Sequence, residues 1–465
     1  MKTARNIAIA IALTTCSSVA MAQSEAGPVS LQEAIESAVA SNPEISQAQM
    51  NTEAIQFERE QAQSLYFPTI DVEASAGARR LENQTRRALG IADDWLNPLE
   101  AQVRGDWTIL DFGRRRGELL RQAARVDGAS LRVLERSEFI ALQVSRQYLN
   151  ILLQERIVAA ATDNVVFHEQ MTGSLQQGVS QGSISVADLQ QAEERLQGAI
   201  VLKTQAEEDL TNAQNALKRL TGLDITRANF PPSLAQNLPG SQEIAIGQAR
   251  TANPLVREAQ ADVDAANAMV TSARGELAPR VGVDVTGRIG DDIDGFRGET
   301  NDIQGRVYIR WQMFDGGRRA AQVQEMVRRS SEARFRLHDR VRQAEEDVRN
   351  AWTAMTTQKT VFGALERQAQ VSDDVLLSYR SQFNIGRRSL LDVLDAQNTR
   401  FNTQVRRETA RFSELFAQYQ VLAATNNFLS ALSIAPGTGA GAAERDRFDY
   451  GPSRPAELQR RRYPE

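Results

Sequence analysis

The spacing of apolar residues switches between two periods along this chain, and each period predicts a different element. Between residues 115 and 177, apolar residues recur at three, four or seven positions, which is the spacing of one helix face. Near residue 280 the period becomes two, and Val281, Val283 and Val285 alternate with polar or small residues. Such alternation is typical of a strand with one apolar face. The chain is therefore predicted to combine long helices with short strands.

The two periods together predict four strands and four long helices. The strands are expected at about 69–78, 102–111, 280–290 and 305–314, and the helices at about 115–177, 186–220, 318–383 and 389–432. At ~1.5 Å per residue, about 60 helical residues reach roughly 90 Å. That length is typical of coiled coils and tubes. Strands of about ten residues are long enough to cross a membrane when tilted.

The same order of elements occurs twice. Asn42-Pro43 and Pro68 recur as Asn253-Pro254 and Pro279, and five later markers recur at a slightly shorter offset. Those five are Trp107, Asp111, Gly182, Asp188 and Ala192, which correspond to Trp311, Asp315, Gly386, Asp392 and Ala396. The difference between the two offsets indicates a longer loop between the two strands of the first copy. Repetition at this spacing indicates a duplicated structural unit.

The duplication sets the domain boundaries. We expect a first repeat over 31–220, an inter-repeat linker over 221–242 and a second repeat over 243–432. Each repeat opens with a short helix that ends ahead of an Asn-Pro pair, because proline disfavours helix in the residue before it. The tail over 433–465 is rich in Gly, Pro and Arg and is expected to be disordered.

The N-terminal segment 1–22 has the order of a cleaved secretory signal. Lys2 and Arg5 precede an apolar run, and Ala20-Met21-Ala22 supplies small residues for cleavage. The single cysteine, Cys16, lies inside this segment. The mature chain is therefore expected to have no cysteine and no disulfide.

Charge and motifs argue against an enzyme. The 54 basic and 59 acidic residues give a net charge of −5, so no nucleic-acid partner is expected. His168 and His338 are isolated on predicted helices, and no Walker loop, paired CxxC or HExxH motif occurs. We therefore expect no catalytic, cofactor or metal site.

The strands have the features of a membrane sheet. Aromatic residues lie near their ends, at Tyr66, Phe67, Phe112 and Phe314, where rings favour the membrane interface. The polar positions are expected to face a water-filled lumen, and the valines to face lipid. These polar positions are Asp71, Glu73, Arg104, Asp106, Asp284, Arg288, Arg306 and Arg310. Near Trp107 the orientation stays open, because Gly105 weakens the apolar face, and a soluble hairpin is the alternative for the strands alone.

The chain from Leu31 to Leu432 resembles the TolC family of outer-membrane efflux and secretion ducts. The resemblance rests on the duplicated Asn-Pro pairs, on the turns Phe112-Gly113 and Phe314-Asp315-Gly316-Gly317, and on the segment from Gly386 to Ala396. It implies a homotrimer, in which twelve strands form one outer-membrane β-barrel and twelve helical columns form a periplasmic α-barrel. Four strands alone would leave open edges in lipid, which independently favours assembly.

The resemblance also implies a gate at the periplasmic tip. The hairpin tips are marked by Gly178, Gly182 and Gly386. Arg388 matches a family position that links to an acid, and Asp188 matches that acid in the other repeat. Asp392 and Asp395 share a helix face and would add carboxylates to the lumen. The family's tyrosine position is Phe383 here, so its hydroxyl link is expected to be absent. The alternative is that these charges are helix caps and solvated side chains.

By the same resemblance, the protein is a passive exit duct that works with a periplasmic adaptor and an inner-membrane pump driven by ATP or protons. Type I protein secretion is the favoured route, because the turn Asp111-Phe112-Gly113-Arg114 and the lack of a lipidation motif resemble that branch. Small-molecule efflux is the alternative. A periplasmic coiled-coil adaptor is the rival from another class, but it has no need of four duplicated strands.

Overall fold

The computed structural model describes residues 28–225 and 227–451, so the expected signal peptide 1–22 lies outside the described residues. The helices are α1 Leu31–Ser41, α2 Pro43–Ser64, α3 Gln84–Ala88, α4 Arg114–Ser180, α5 Val186–Thr221, α6 Gln242–Ala252, α7 Pro254–Gly275, α8 Arg318–Asn384, α9 Leu390–Ala424 and α10 Phe428–Ala431. The strands are β1 Thr69–Ala76, β2 Arg79–Arg80, β3 Trp95–Leu96, β4 Leu99–Leu110, β5 Arg280–Asp291 and β6 Glu299–Arg310. Among the described helices, none is both long enough and apolar enough to cross a membrane.

The four long strands form one antiparallel sheet in the order β1-β4-β5-β6. The shortest of them, β1, lies at one edge of this sheet, and β6 lies at the other. β2 and β3 pair separately in the long loop of the first repeat. The sheet therefore joins one hairpin from each repeat through the pairing of β4 with β5.

The bounds of two predicted elements were wrong. The fourth strand was expected over 305–314, but β6 begins at Glu299 and ends at Arg310, which pairs with the first residue of β5. Residues beyond Arg310 have no strand to pair with. The last helix was expected to reach 432, but α9 ends at Ala424 because Asn426 adopts a left-handed backbone with φ of 58°.

Two helices, α4 and α8, are unbroken over 67 residues each. At ~1.5 Å per residue, each extends about 100 Å. At the sheet end α4 packs on α2 and α7, and at the far end it packs on α5 and α9. The approach to α7 is close at Gly117, where a Cβ atom would lie 2.7 Å from the carbonyl oxygen of Ala268. A glycine is needed there for the backbones to meet.

The Asn-Pro pairs join two helices end to end. The side-chain oxygen of Asn42 accepts the Glu44 N–H in the first turn of α2, while its amide donates to the Leu220 carbonyl near the end of α5 (3.2 Å). Asn253 does the same in the second repeat. Its amide donates to the Ala424 carbonyl at the end of α9 (3.4 Å). Each column is thus made of two helices, α2 on α5 and α7 on α9.

The largest core lies at the level of these joints. There α1, α4, α5, α9 and α10 bury apolar side chains around Tyr148 and Tyr419. The hydroxyl oxygen of Tyr148 lies 2.8 Å from the carbonyl oxygen of Val29 and 2.7 Å from that of Asn229, and its single proton is shared between them. These bonds tie the start of the first repeat and the inter-repeat linker to the middle of α4.

The tail was expected to be disordered over 433–465, and this was wrong for the described part. Residues 433–451, here called the strap, run back along α4 toward the sheet. The Gly437 N–H donates to Ser137 Oγ (3.1 Å), and the Tyr450 hydroxyl donates to the Leu120 carbonyl (2.6 Å). The strap therefore follows α4 from the level of Ser137 back to that of Leu120.

A buried ion pair holds the middle of the strap. Arg445 pairs with Asp127 of α4 and Asp264 of α7, both at 2.9 Å. Asp127 also accepts the backbone N–H groups of Glu444 (2.8 Å) and Arg445 (3.1 Å). Glu444 in turn pairs with Arg59 of α2 at 2.6 Å. Composition suggested disorder, but these specific contacts offset the entropy of ordering the segment.

Candidate pore surface and hairpin tips

The sheet sorts its side chains cleanly onto two faces. Strand register places Asp106 opposite Asp284 and Asp284 opposite Arg306, so the polar positions of neighbouring strands lie on one face. On the other face the apolar side chains stay exposed in the single chain, and Ile303 is 86% exposed. Exposed apolar side chains on a whole sheet face indicate contact with an apolar surrounding.

The predicted polar set is confirmed as one face. The register places its members on the same side of the sheet, opposite one another or opposite other polar residues, and Trp107 lies with the apolar set, opposite Val283. The orientation near Trp107, which the sequence left open, is therefore not reversed. A register irregularity between Thr108 and Leu110 follows only after Trp107.

Cross-strand ion pairs connect the polar face. Asp284 is only 2% exposed and accepts from two nitrogens of the Arg306 guanidinium, at 2.9 Å and 2.6 Å. Asp106 accepts from Arg280 (3.0 Å) and from the Tyr308 hydroxyl (2.9 Å). Such pairs link strands from both repeats across the polar face.

The longer loop of the first repeat is folded against the loop of the second. The Arg86 guanidinium is buried and donates to the carbonyls of Ile91 (2.6 Å), Asp94 (3.0 Å) and Gly295. Gly295 belongs to the loop between β5 and β6. The extra residues in the first repeat therefore form a small unit, β2, β3 and α3, that pins the two loops together.

Aromatic side chains mark the opposite end of the sheet. Tyr66, Phe67, Phe112 and Phe314 all lie between a strand and a helix, and Phe314 is 85% exposed. Their place at the strand ends agrees with the prediction, and their role at a membrane interface stays a prediction. Trp107 and Trp311 add to this set. The indole N–H of Trp107 donates to the Tyr66 carbonyl just after α2 (2.9 Å), and that of Trp311 donates to the Leu277 carbonyl just after α7 (3.1 Å).

The turn from strand to helix contains an ion pair that the sequence reasoning missed. Asp111 accepts from both the backbone and the guanidinium of Arg115, each at 2.9 Å. Asp315 does the same for Arg319, at 3.2 Å and 2.8 Å. The arginines also reach carbonyls of the preceding strand and helix. The spacing Asp-x-x-x-Arg in both repeats was the signal that could have found them.

The two hairpin tips share one turn geometry. Gly182 and Gly386 have φ of 73° and 74°, in the left-handed region that favours glycine. Ser185 then caps α5 and binds Asp188, and Ser389 caps α9 and binds Asp392. The two serine–aspartate hydrogen bonds are 2.7 Å and 2.8 Å. Two of the three aspartates of the predicted gate, Asp188 and Asp392, therefore bond the serine cap of their own helix, and Asp392 also accepts the Ser389 N–H.

Arg388 is held within its own hairpin. Its guanidinium lies 4.0 Å from the centre of the Tyr379 ring, its Nε donates to Gln382 Oε1 (3.1 Å), and it reaches Asp392 at 3.7 Å. Phe383 packs in the apolar core of the tips, where its ring has no hydroxyl to donate. Tyr379, one turn before Phe383, was missed because it does not occupy the family's tyrosine position.

The predicted link between Arg388 and Asp188 is not formed within the described chain, so it stays a prediction for contacts between chains. Asp395 instead approaches Arg195 of α5 at 4.0 Å, which connects the two hairpins. A buried amide pair, Gln397 to Asn164 at 2.7 Å, lies further along the same two hairpins. Arg195, Asn164 and Gln397 were not predicted as tip residues.

His168 lies near these groups and is buried. Burial and the positive charge of Arg195 lower the pKa of His168, so the imidazole is neutral at pH 7. Over residues 28–225 and 227–451, no three His, Cys, Asp or Glu side chains are grouped to hold a metal ion.

A sheet with one polar and one exposed apolar face, joined to helices of about 100 Å, has the features of a membrane channel protein that continues into a helical tube. The chain belongs to the outer membrane efflux protein family, whose sequence profile matches residues 34–223 and again residues 245–431. Each match covers one repeat, which confirms the duplication. The protein is located in the outer membrane, extends into the periplasm and is an efflux or secretion duct.

Individual relatives are distant. The chain is 26% identical over 290 residues to the outer membrane efflux protein BepC of Brucella suis, covering 61% of this chain and 62% of BepC. It is 22% identical to the outer membrane protein TolC of Escherichia coli, covering 98% of this chain and 96% of TolC. It is 22% identical to the alkaline protease secretion protein AprF of Pseudomonas aeruginosa, covering 62% and 61%. The alignments span less than two thirds of BepC and AprF.

Solved structures confirm the predicted fold. The structure of the outer-membrane channel OprN superimposes with a TM-score of 0.76 at 18% identity, covering 85% of this chain and 90% of OprN. At that identity the likeness applies to the fold alone.

Proposed function

We propose that three copies of this chain close into one passive exit duct. The observation that carries the proposal is the open sheet, with β1 and β6 at its edges and with one polar and one apolar face. Unpaired strand edges are not stable in lipid, and three four-stranded sheets would close into a barrel of twelve strands. The four helical columns of each chain, α4, α8, α2 on α5 and α7 on α9, would give a twelve-column tube.

The duct would do no chemistry of its own. Its polar face would line the water-filled lumen of the barrel, and the exposed face around Ile303 would face lipid. The tip residues Asp188, Arg388, Asp392 and Asp395 would narrow the tube through contacts between neighbouring hairpins. A periplasmic adaptor and an inner-membrane pump, driven by ATP or protons, would dock at these tips and supply the energy.

For the cargo we propose protein, exported by a type I secretion route. The name of AprF as an alkaline protease secretion protein supports this route. Small-molecule efflux is the second candidate, which the name of BepC as an efflux protein favours. Deleting the gene and comparing secreted proteins with drug tolerance separates them. Loss of a secreted protein with unchanged tolerance is expected, and the reverse result would assign the duct to efflux.

The trimer and channel are tested together on the purified protein. We expect the unheated protein to migrate on a denaturing gel as a trimer, to fractionate with the outer membrane and to conduct ions in planar bilayers. A deletion that removes β1 should abolish the trimer, because the barrel could not close. A monomer that fractionates with the periplasm would contradict the proposal.

A further inference from the structure

The sheet contains one seam between the two repeats, where β4 of the first repeat pairs with β5 of the second. Along this seam Asp106 lies opposite Asp284 and Trp107 lies opposite Val283. β1 pairs with β4 only as far as Asp106, so from Trp107 onward β5 is the one described strand that pairs with β4. The end of β4 is therefore a strand because the other repeat pairs with it there.

The equivalent end of the second repeat lacks such a partner in the single chain. Trp311 corresponds to Trp107, but β6 ends just before it, at Arg310, where the pairing with β5 also ends. The strand that corresponds to β5 is β1, since Pro68 precedes β1 as Pro279 precedes β5. β1 and β6 lie at opposite edges of one open sheet. A second seam between repeats, β6 against β1, therefore requires two copies of the chain.

The duplication specifies the register of this second seam. Val72 follows the proline before β1 at the distance at which Val283 follows the proline before β5. Because Trp107 lies opposite Val283, the equivalent pair between copies is Trp311 opposite Val72. Both side chains are apolar and exposed in the single chain, at 51% and 74%. A slip by one residue would set polar side chains against apolar ones, so this register also keeps the two faces of the sheet separate.

On the polar face the same register sets Arg310 opposite Glu73 of the neighbouring copy. Within its own chain Arg310 lies opposite a like charge, Arg280, which is already bonded to Asp106 at 3.0 Å. The Arg310 guanidinium lies 5.0 Å from the centre of the Tyr308 ring and has no ion pair in the part of the chain that the structure describes. Like charges opposite each other destabilise a strand pair, so a carboxylate on the free side of Arg310 would be stabilising.

The edge strand β1 supplies carboxylates of this kind. Glu73 and Asp71 are both exposed, and neither has an ion pair among residues 28–225 and 227–451. Within its own chain Glu73 lies opposite Gln102, which is uncharged, and Asp71 lies opposite Arg104. In the register that the duplication gives, Asp71 is diagonal to Arg310 and adds a second negative charge near it. The charges of the two edges are therefore complementary.

We propose that neighbouring chains of the duct join through β6 of one copy and β1 of the next, in the register that sets Trp311 opposite Val72. The same register pairs Arg310 with Glu73. Residues 311–312 would then extend β6, as their counterparts extend β4. This proposal rests on the assembly of three copies proposed above and specifies the contact between them.

The register is tested by disulfide formation between engineered cysteines, because the mature chain is expected to have none of its own. In the proposed register Ala74 lies opposite Ile309, within the Cα separation of about 4.4–6.8 Å that a disulfide needs. Ala74→Cys/Ile309→Cys should therefore give a covalent trimer on a heated, non-reducing gel, and a reducing agent should convert it to monomers. The matched controls combine Ala74→Cys with Val307→Cys or with Trp311→Cys. These positions are displaced by two residues and lie diagonally, roughly 7 Å away.

We expect the directly opposed pair to crosslink at least tenfold faster than both controls. Faster crosslinking in either control would overturn the register. An intact trimer in which none of the three variants crosslinks would overturn the seam itself. Absence of a trimer in the unsubstituted protein is a different result, which would remove the proposed duct together with the seam.

An exchange of charges tests the ion pair. Arg310→Glu and Glu73→Arg should each lower, by several degrees, the temperature at which the trimer dissociates on a denaturing gel. Combining them should restore most of this loss, because the pair is rebuilt with its charges exchanged. Arg310→Glu combined with Glu299→Arg is the control, since it has the same net charge but places the new arginine at the other end of β6. Equal dissociation temperatures in the two combined variants would overturn the pairing of Arg310 with Glu73.

Discussion

The two hairpin tips have the same backbone but different side chains inside the turn. In the first tip Ile184 packs over Gly178, where a Cβ atom would lie 2.6 Å from the Ile184 side chain. At the equivalent positions of the second tip, Arg388 donates to Gln382, and it also stacks on Tyr379. The glycine turn and serine cap are common to both. Both repeats therefore keep the same turn, but the two side chains inside it differ: Gly178 and Ile184 in the first tip, Gln382 and Arg388 in the second.

The divergence extends along the chain. The strap binds α2 and α4 of the first repeat and pairs with the second through Asp264. The first repeat thus has an apolar pair inside its turn and an added anchor, while the second repeat has at the same place a charged residue, Arg388, whose contacts are partly exposed. Apolar packing is lost only by unfolding, whereas ion pairs and ring stacking can exchange partners in water. We infer that the second hairpin is the one that changes its contacts when the tip opens.

The largest loss in the free energy of unfolding should come from removing the ion pairs of Arg445, which anchor the strap to the first repeat. Arg445→Met leaves the carboxylates of Asp127 and Asp264 without their cation, which costs about 3–5 kcal/mol for a buried pair. Thermal and denaturant unfolding should both show this loss of stability. The control is Arg447→Met, an exposed change that breaks only the pair with Glu444 and should cost under ~0.5 kcal/mol. Equal losses in the two variants would mean that the strap is not an anchor.

The apolar tip is tested next by Gly178→Ala. The added methyl group collides with Ile184, and overpacking of this kind costs about 1–3 kcal/mol. Gln382→Ala at the equivalent position loses one hydrogen bond, about 1 kcal/mol. Hydrogen exchange of each hairpin measures the local loss. Similar protection in both variants would erase the distinction between the tips.

The charged tip is tested by Arg388→Leu in planar bilayers. Loss of the charge should raise single-channel conductance severalfold, and Asp188→Asn should act in the same direction if the two groups meet between chains. Ile184→Leu at the position equivalent to Arg388 is the control and should leave conductance unaltered. Unchanged conductance in both Arg388→Leu and Asp188→Asn would remove the gate assignment.

The smallest change in stability is expected from the Tyr379 ring, on which the Arg388 guanidinium stacks. Tyr379→Phe keeps the aromatic face and should preserve the position of the guanidinium, whereas Tyr379→Leu should free it at about 0.5–1 kcal/mol. A double-mutant cycle with Arg388→Leu, followed by hydrogen exchange at the tip, isolates this energy. The stacking is ruled out if Tyr379→Phe and Tyr379→Leu behave alike.

Periodicity predicted the long helices, the strands and their faces, because each depends on a pattern repeated over many residues. The ends were harder. The limit of β6 depends on where its partner β5 begins, and the end of α9 depends on one left-handed asparagine. Neither is visible in a local pattern. The strap was missed because its order comes from contacts such as Arg445 with Asp127, which lie far apart in the sequence.

The tip site was predicted only in part. Glycine spacing located both turns, but the partners of Arg388 depend on helix faces that the spacing alone does not specify. Position 379 would have been found by comparing the two repeats, since Tyr379 corresponds to Leu175 in the apolar tip. The joint residues Asn42 and Asn253 were read as helix stops, and their second hydrogen bond, to a helix far away in sequence, could not be anticipated.

The joints give the molecule two kinds of mechanical element. α4 and α8 are continuous rods that carry load directly from the tips to the sheet. α9 meets α7 end to end, and the side chain of Asn253 donates a hydrogen bond across this joint. No continuous backbone crosses the joint, so a twist of α9 is transmitted to α7 only weakly. A twist of the second hairpin can therefore reach the sheet through a continuous backbone only along α8, because the column of α9 and α7 is interrupted at the middle of the molecule.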